Sequence, residues 1–330
     1  MLIETRKVIS AGRRSRAVTL PKKWVLQHGI SPGDPVEIIV EEDGSLRIRP
    51  LKAAPSIPRA GEVSIEDPGS TVDDVVFTLV GYYVNGYNVI TLPATPQVHE
   101  ALSRLERMLV GVLYIDAVDN IRVKFIVSEG KIGSVEIASR LSSLLSSLAK
   151  HYMDALETNN TSSLKSILDI EEEIDRLYYL GLRVLNTEVT RSIAEWRVKE
   201  YVRLSSMRVA LKVMEDIADA FDRSARTLLR LGPGIVNENY IGILRSVSKI
   251  IIDSAQAFLD LDRSKASRIL RLRVDVKKDI VEFKKKAATE AQMLISELEI
   301  MLALAADLAE ITIIDSIIDK RTWAPRIQAP

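Results

Sequence analysis

The first fifty residues alternate apolar and polar positions over short segments that are separated by turn signals. This alternation predicts four strands: Leu2–Ile9, Arg16–Leu20, Pro35–Val40 and Ser45–Arg49. A short helix, Lys22–His28, is predicted after Pro21, because proline at the first helical position loses no hydrogen bond. Asp43–Gly44 is a strong hairpin turn signal. So few elements bury little surface, and we expect a second copy to complete this head, residues 1–50.

The next part of the chain changes between helical and strand periodicity. Residues 51–61 hold two of the twelve prolines and predict a linker. Residues 62–130 then predict a helix, a strand, a second helix and a two-stranded hairpin: Val72–Tyr83, Tyr87–Leu92, Gln97–Leu109, Val112–Val118 and Arg122–Val127. This is the pattern of a small α/β unit. Its glycines fit neither a Walker nor a dinucleotide-binding spacing.

From residue 131 to residue 322, apolar residues recur at helical spacing almost without interruption. Short breaks divide this run into six long helices, at roughly 133–157, 162–188, 192–231, 238–260, 263–288 and 290–320. Gly232–Pro233–Gly234 separates the first three helices from the last three. The sequence therefore predicts two tandem three-helix bundles, followed by a tail at 323–330. The fold class is multidomain, with a small strand-rich head, a small α/β unit and a mainly α-helical body.

Composition excludes several classes of protein. The 330 residues are 47% hydrophobic, which is too apolar for a disordered chain. Cysteine is absent, which excludes disulfides, thiolate metal sites and a cysteine nucleophile. With three histidines and no nucleophile elbow or triad pattern, we predict that the protein is not an enzyme. No apolar run is long enough to span a membrane and the charged N-terminus lacks a signal-peptide core, so we expect a cytoplasmic location.

Basic residues are concentrated in the first 27 positions, although the whole chain carries 45 basic and 45 acidic residues. This segment has one acid, Glu4, and seven basic residues, a net charge of +6. The seven are Arg6, Lys7, Arg13, Arg14, Arg16, Lys22 and Lys23. Such a cluster is typical of nucleic-acid binding, because lysine and arginine neutralise phosphates. Charge alone is equally compatible with a solvated basic rim.

The head resembles AbrB/MazE/SpoVT-type domains over about fifty residues. The resemblance is carried by the strand that ends in Val18–Thr19–Leu20–Pro21, the helix after that proline, the turn Pro32–Gly33–Asp34 and the final hairpin. It implies a swapped-hairpin β-barrel built by two chains, hence a homodimer through residues 1–50. It also implies that duplex DNA is the partner, contacted by the seven basic residues.

Carboxylates recur in pairs four residues apart along the predicted helices. The pairs are Glu171 with Asp175, Glu215 with Asp219, and Asp275 with Asp279. This spacing puts both carboxylates of a pair on one helix face, where oxygen ligands would suit Mg²⁺, Ca²⁺, Mn²⁺ or iron. The alternative is a solvated acidic face that pairs with nearby arginines, namely Arg176, Arg223 and Arg226.

The placement of these pairs resembles the PhoU family, in which two tandem three-helix bundles carry E/D-xxx-D motifs on the second and third helix of each. The stretches that carry the resemblance are DIEEEIDRLYYLGLRVL and LKVMEDIADAFDR. Residues 72–127 are similar to the segment that precedes the bundles in archaeal members. The resemblance implies divalent or iron-type metal ions on each bundle. Its ligands would be Glu171, Asp175, Glu215 and Asp219 on the first bundle, and Asp275, Asp279, Asp307 and Glu310 on the second. The second motif departs from the pattern, since Ala303 stands four residues before Asp307 and Glu310 follows it.

Together the two resemblances imply a DNA-binding regulator of phosphate uptake that contacts a phosphate transporter's ATPase or a signalling protein. One alternative is an interaction protein whose head only dimerises or clamps a protein partner. A metal-dependent enzyme is a third possibility, although the sequence shows no residue placed as a nucleophile or acid.

Overall fold

The computed structural model describes residues 4–12, 15–40, 44–51, 61–127, 132–194 and 198–318. The chain divides into two compact units, with the division after Ile57. The first unit holds the head, and the second holds the α/β unit and the helical body. The predicted linker residues 52–60, Asp43 of the hairpin turn and the tail 323–330 lie outside the described residues.

The head consists of two antiparallel hairpins and one short helix. The elements are β1 (Ile9–Ala11), β2 (Ser15–Ala17), α1 (Lys22–Gln27), β3 (Val36–Val40) and β4 (Leu46–Pro50). β1 pairs with β2, and β3 pairs with β4 with Ile38 opposite Ile48. The predicted strand Leu2–Ile9 is wrong for residues 4–8, because β2 supplies partners only for Ile9–Ala11.

Within the described part of the head, no apolar side chain is buried. Leu26 is 70% exposed, and Val40 at the end of β3 is 72% exposed. A single copy of the head therefore leaves its apolar residues in water, which costs free energy that burial would recover.

The α/β unit is a four-stranded sheet with two helices on one face. Its elements are β5 (Glu62–Ser64), α2 (Val72–Val84), β6 (Val89–Pro93), α3 (Pro96–Met108), β7 (Val112–Asp116) and β8 (Asn120–Phe125). The strand order is β5-β6-β8-β7, and only the β5–β6 pair is parallel. Ile121, Val123 and Phe125 are buried while Arg122 and Lys124 are exposed, so β8 alternates as a strand with one covered face does. The predicted elements are confirmed within a few residues, and β5 is an additional strand.

The helical body follows the predicted order of helices. They are α4 (Ser134–Thr158), α5 (Thr161–Ala194), α6 (Val198–Leu231), α7 (Glu238–Asp260), α8 (Arg263–Lys284) and α9 (Gln292–Asp315). The predicted end of the second helix at 188 is wrong, because α5 continues to Ala194. The predicted end of the fifth helix at 288 is also wrong, since α8 ends at Lys284 and a 3-10 turn, Thr289–Ala291, leads into α9. Every helix in the part of the chain that the structure describes is too short or too polar to cross a bilayer.

Two three-helix bundles form, and they share one apolar core. α4, α5 and α6 pack together, as do α7, α8 and α9. The bundles join where α6 contacts α9 and α4 contacts α7. The hydroxyls of Tyr152 on α4 and Tyr240 on α7 lie 3.0 Å apart at the second of these contacts, where both side chains are fully buried. The fold class predicted from the sequence, a small strand-rich head with an α/β unit and a mainly helical body, is confirmed.

A buried arginine attaches the α/β unit to the first bundle. The guanidinium of Arg183 on α5 is fully buried and donates to the carbonyl oxygens of Tyr83 at 2.6 Å, Tyr87 at 2.9 Å and Gly86 at 3.3 Å. It also donates to Oδ1 of Asn88 at 2.6 Å. Tyr83 lies in the last turn of α2, where helix carbonyls lack partners within the helix and attract a cation. The other three acceptors lie between α2 and β6.

Candidate metal centre and candidate nucleic-acid interface

Carboxylates of α5 and α6 meet on one face of the first bundle. Oxygens of Glu171 and Asp175 on α5 and of Asp219 on α6 all lie within 4.8 Å of one another. A second group, formed by Glu215, Asp216 and Asp219, has the same spacing. Asp219 belongs to both groups and joins them. The structure therefore brings together the four residues predicted for the first site and adds Asp216, which the i,i+4 pattern did not reveal.

Two basic residues border this carboxylate cluster. Nζ of Lys212 donates to Glu215 and lies 2.8 Å from Asp216. Nη1 of Arg223 lies 3.5 Å from Oδ2 of Asp219, but the same guanidinium also binds Glu297 of α9, with Nη2 to Oε2 at 3.0 Å. One cation is thus shared between the cluster and the second bundle, and it neutralises Asp219 only in part.

Asp222, one turn beyond Asp219, is a further acidic neighbour that sequence reasoning missed. One of its carboxylate oxygens accepts from Nε of Arg226 at 2.6 Å. The other is buried and has no hydrogen-bond partner among the described residues. Arg226 and Arg223 therefore pair with acids, as the solvated-face alternative expected. Arg176 instead donates to the carbonyl of Arg107 at 3.4 Å.

Burial and neighbouring negative charges raise the pKa values of the carboxylates in the cluster, which disfavours their ionised forms. Burial, with the neighbouring charges of Asp175, Asp222 and Asp219, raises the pKa of Glu171 to about 8. Burial also raises the pKa of Asp175 to about 6, with Asp219 as the next cause. The pKa of Glu215 rises to about 7 through burial, against the opposing effect of Lys212.

This arrangement fits a hard cation. Several half-buried oxygen donors converge, their mutual repulsion is incompletely offset, and one buried oxygen of Asp222 lacks a hydrogen-bond donor among the described residues. A bound cation would stabilise the ionised forms and displace the protons that the raised pKa values retain. Carboxylate-only ligands suit Mg²⁺, Ca²⁺ or Mn²⁺ by their chemistry.

The residues predicted for the second site are not brought together in this way. Of the carboxylate groups found among the described residues, none includes Asp275, Asp279, Asp307 or Glu310. Asp275 lies 3.1 Å from Nζ of Lys278 and is exposed, while Glu310 lies 3.7 Å from Nη1 of Arg273. A metal site on the second bundle remains a prediction from the motif.

The basic residues of the head lie at its surface where the structure describes them. The exposed ones are Arg6, Lys7, Arg16, Lys22 and Lys23. Arg6 forms an ion pair with Glu4, and Nη1 of Arg16 donates to the carbonyl of Ser15 at 3.2 Å. Arg13 and Arg14 lie outside the described residues. On α1, the half-buried ring of Trp24 has its centroid 5.1 Å from that of His28, one helical turn further along.

Comparison with known protein families identifies the type of domain that forms the head. Residues 9–56 match the family model described as antidote-toxin recognition MazE, a bacterial antitoxin. The predicted AbrB/MazE-type domain is thereby confirmed. No curated protein matches the chain in sequence.

Among solved structures, the chain is similar to the phosphate transport system regulatory protein PhoU from Streptococcus pneumoniae. The identity is 18% and the TM-score is 0.45, over 56% of this chain and 92% of that one. A likeness of this degree assigns no residue roles.

Proposed function

We propose that the protein is a DNA-binding regulator of phosphate homeostasis whose helical body responds to a bound metal ion. The observation that carries the first half is the match of residues 9–56 to the MazE antitoxin model, in a head whose residues 1–27 carry a net charge of +6. The observation that supports the second half is the convergence of half-buried carboxylates on α5 and α6.

The head acts as a homodimer in this proposal. One copy leaves Leu26 and Val40 exposed, and burial against a second copy would remove this apolar surface from water. Two copies also double the basic residues available to a duplex. Each phosphate that a lysine or arginine neutralises releases counterions, which favours binding at low salt.

The acidic motifs of the helical body are the reason for proposing a role in phosphate homeostasis. The tandem bundles with acidic motifs on their helices have the arrangement that the PhoU resemblance implies, and the acids of the first bundle do converge. The body would then report on phosphate uptake through contact with a transporter ATPase or a signalling protein, while the head acts on transcription. No step of this role requires catalysis.

DNA binding is tested on the full chain with the triple variant Arg13→Ala, Arg14→Ala and Arg16→Ala. We expect weaker binding to duplex DNA and a salt dependence that is shallower by about one unit of slope for each phosphate that is no longer neutralised. The matched control replaces three exposed cations of the body, Lys150, Lys165 and Arg230, with alanine. Equal affinity and slope in the triple variant and in the unaltered protein would refute the DNA-binding role.

A second candidate function is favoured by the description of the matching family, which names toxin recognition by an antitoxin. On this alternative the head clamps a protein partner and the basic residues are a solvated rim. Mapping where the protein binds its own genome, at high and at low phosphate, separates the two. Occupancy that changes with phosphate supports the regulator, and an absence of occupied sites supports the clamp.

A further inference from the structure

The helix α8, with the two lysines that follow it, carries the largest excess of positive charge in the body. Residues 263–286 hold ten basic and three acidic residues, a net charge of +7. This excess is independent of the head and of the carboxylate cluster, and neither the DNA-binding nor the metal-binding proposal uses it. Since the whole chain is neutral, a surface of this kind indicates an anionic partner.

Much of this charge is uncompensated within the part of the chain that the structure describes. Arg271, Lys277 and Lys285 are exposed, and none forms an ion pair with any described residue. Lys278 pairs only with its helix neighbour Asp275, at 3.1 Å, and both side chains are about 70% exposed or more. An exposed pair of this kind is weak, so Lys278 can exchange its partner at little cost.

Apolar residues form a seam between these cations. Leu270, Val274 and Val281 follow one another at spacings of four and seven, which places them on one face of α8. Val274 is 53% exposed and Val281 is 39% exposed, although they lie in the middle of a helix. With Glu310 of α9 they line a concave groove of about 610 Å³.

The cations occupy the flank of this seam in the same register. Arg271, Lys278 and Lys285 are spaced seven residues apart, and they follow Leu270, Lys277 and Lys284. In coiled coils the residues on this flank select the partner helix by charge. A partner helix that fits here has apolar residues along one stripe and acidic residues beside it.

We propose that this face of α8 is a docking surface for an acidic amphipathic helix of a partner protein. The seam buries the partner's apolar stripe, and the three flanking cations pair with its carboxylates. Duplex DNA fits less well, because an exposed apolar seam adds nothing to phosphate contacts. A lipid surface is flat at this scale, whereas the apolar residues here line a groove.

The test uses the full chain and a labelled synthetic helix of about three heptads with leucine at a and d positions and glutamate on both flanks. A second peptide has glutamine in place of each glutamate. From three charge pairs of ordinary surface strength, we expect the glutamate peptide to bind about tenfold more tightly, as measured by fluorescence anisotropy. This preference should disappear at high salt.

Variants separate the two components of the surface. The charge reversal R271E/K278E/K285E should abolish the preference and favour a lysine-flanked peptide instead. The reversal K150E/K165E/R230E changes the net charge equally elsewhere and should leave binding unchanged. The variant V274S/V281S keeps every charge and should weaken binding of the glutamate peptide about tenfold, because the apolar seam is removed. Far-UV circular dichroism verifies that each variant is folded.

Three results would overturn the proposal. The first is that the glutamate and glutamine peptides bind with equal affinity, or that neither peptide binds. The second is that V274S/V281S binds the glutamate peptide with full affinity, which would mean that binding depends on charge alone. The third is binding of duplex DNA or of vesicles of phosphatidylglycerol that depends on the three cations while the acidic peptide does not bind.

Discussion

Replacing Glu171 with glutamine should change the stability of the protein in opposite directions with and without metal. Glu171 lies in the carboxylate cluster of the first bundle, and its pKa is raised from the ordinary 4.5 to about 8, first by burial and then by the charge of Asp175. The folded chain therefore holds a proton that the unfolded chain releases, and folding loses stability as the pH rises from 4.5 through about 8. Glutamine mimics the protonated form and removes this loss.

The size of the effect follows from the shift. At 1.36 kcal/mol for each pKa unit, the rise from 4.5 to about 8 sets a ceiling of about 5 kcal/mol on the gain in free energy of unfolding. Because the carboxylate is only half-buried and solvent screens it, we expect about 1–2 kcal/mol above pH 8. Near pH 4.5 the gain should shrink to a few tenths of a kcal/mol. For a unit of this size, 1–2 kcal/mol raises the melting temperature by about 3–6 °C.

Calorimetry of the full chain provides the measurement, first in chelator and then with Mg²⁺ or Mn²⁺. In chelator the E171Q variant should melt above the unaltered protein. With metal at about a hundred times its dissociation constant, the unaltered protein gains about 2.7 kcal/mol and the order should reverse. Glu172 is the adjacent, exposed glutamate, and E172Q serves as the matched control that should follow the unaltered protein. If E171Q and E172Q melt together in chelator, or if metal shifts neither of them nor the unaltered protein, the cluster is a solvated acidic face.

Three further substitutions test the packing of the α/β unit and of the two bundles. Arg183→Met removes the donor that four acceptors at and after the end of α2 share, and it should lower the free energy of unfolding by about 3 kcal/mol in urea titrations. Tyr152→Phe leaves the hydroxyl of Tyr240 buried without its partner and should cost about 1–2 kcal/mol, most of which the double phenylalanine variant recovers in a double-mutant cycle. Gly111→Ala should lower the melting temperature by several degrees, about 2 kcal/mol, because φ is +77° there and the added Cβ would lie 2.4 Å from the carbonyl oxygen of Ile126.

The helices were predictable because their apolar spacing persists over many turns and their breaks are marked by residues such as Gly232 and Asn159. The short strands were not predictable to the same degree. β5 is three residues long and is defined by pairing with β6, which lies far away in sequence. Alternation in the sequence continues over residues 4–8, but a strand also needs a partner opposite it, and β2 pairs only with Ile9–Ala11.

The candidate site was predictable in part, for a similar reason. The i,i+4 rule identifies Glu171 with Asp175 and Glu215 with Asp219, since both members of each pair lie on one helix. The contribution of Asp222 depends on how α6 is rotated against α5, and no local pattern encodes that rotation. The seven-residue spacing of the α8 cations does not by itself indicate a site in the sequence, and the acids among them, Asp275 and Asp279, indicate metal binding instead.

Arg183 also couples the position of α5 to that of the α/β unit. Its guanidinium donates to four acceptors at once, so the end of α2 cannot rotate relative to α5 while these hydrogen bonds persist. It follows Asp175 by eight residues, about 12 Å along the same helix. A tilt of α5 at the carboxylates would therefore move the α/β unit as well, because one continuous helix and the hydrogen bonds of Arg183 connect the two.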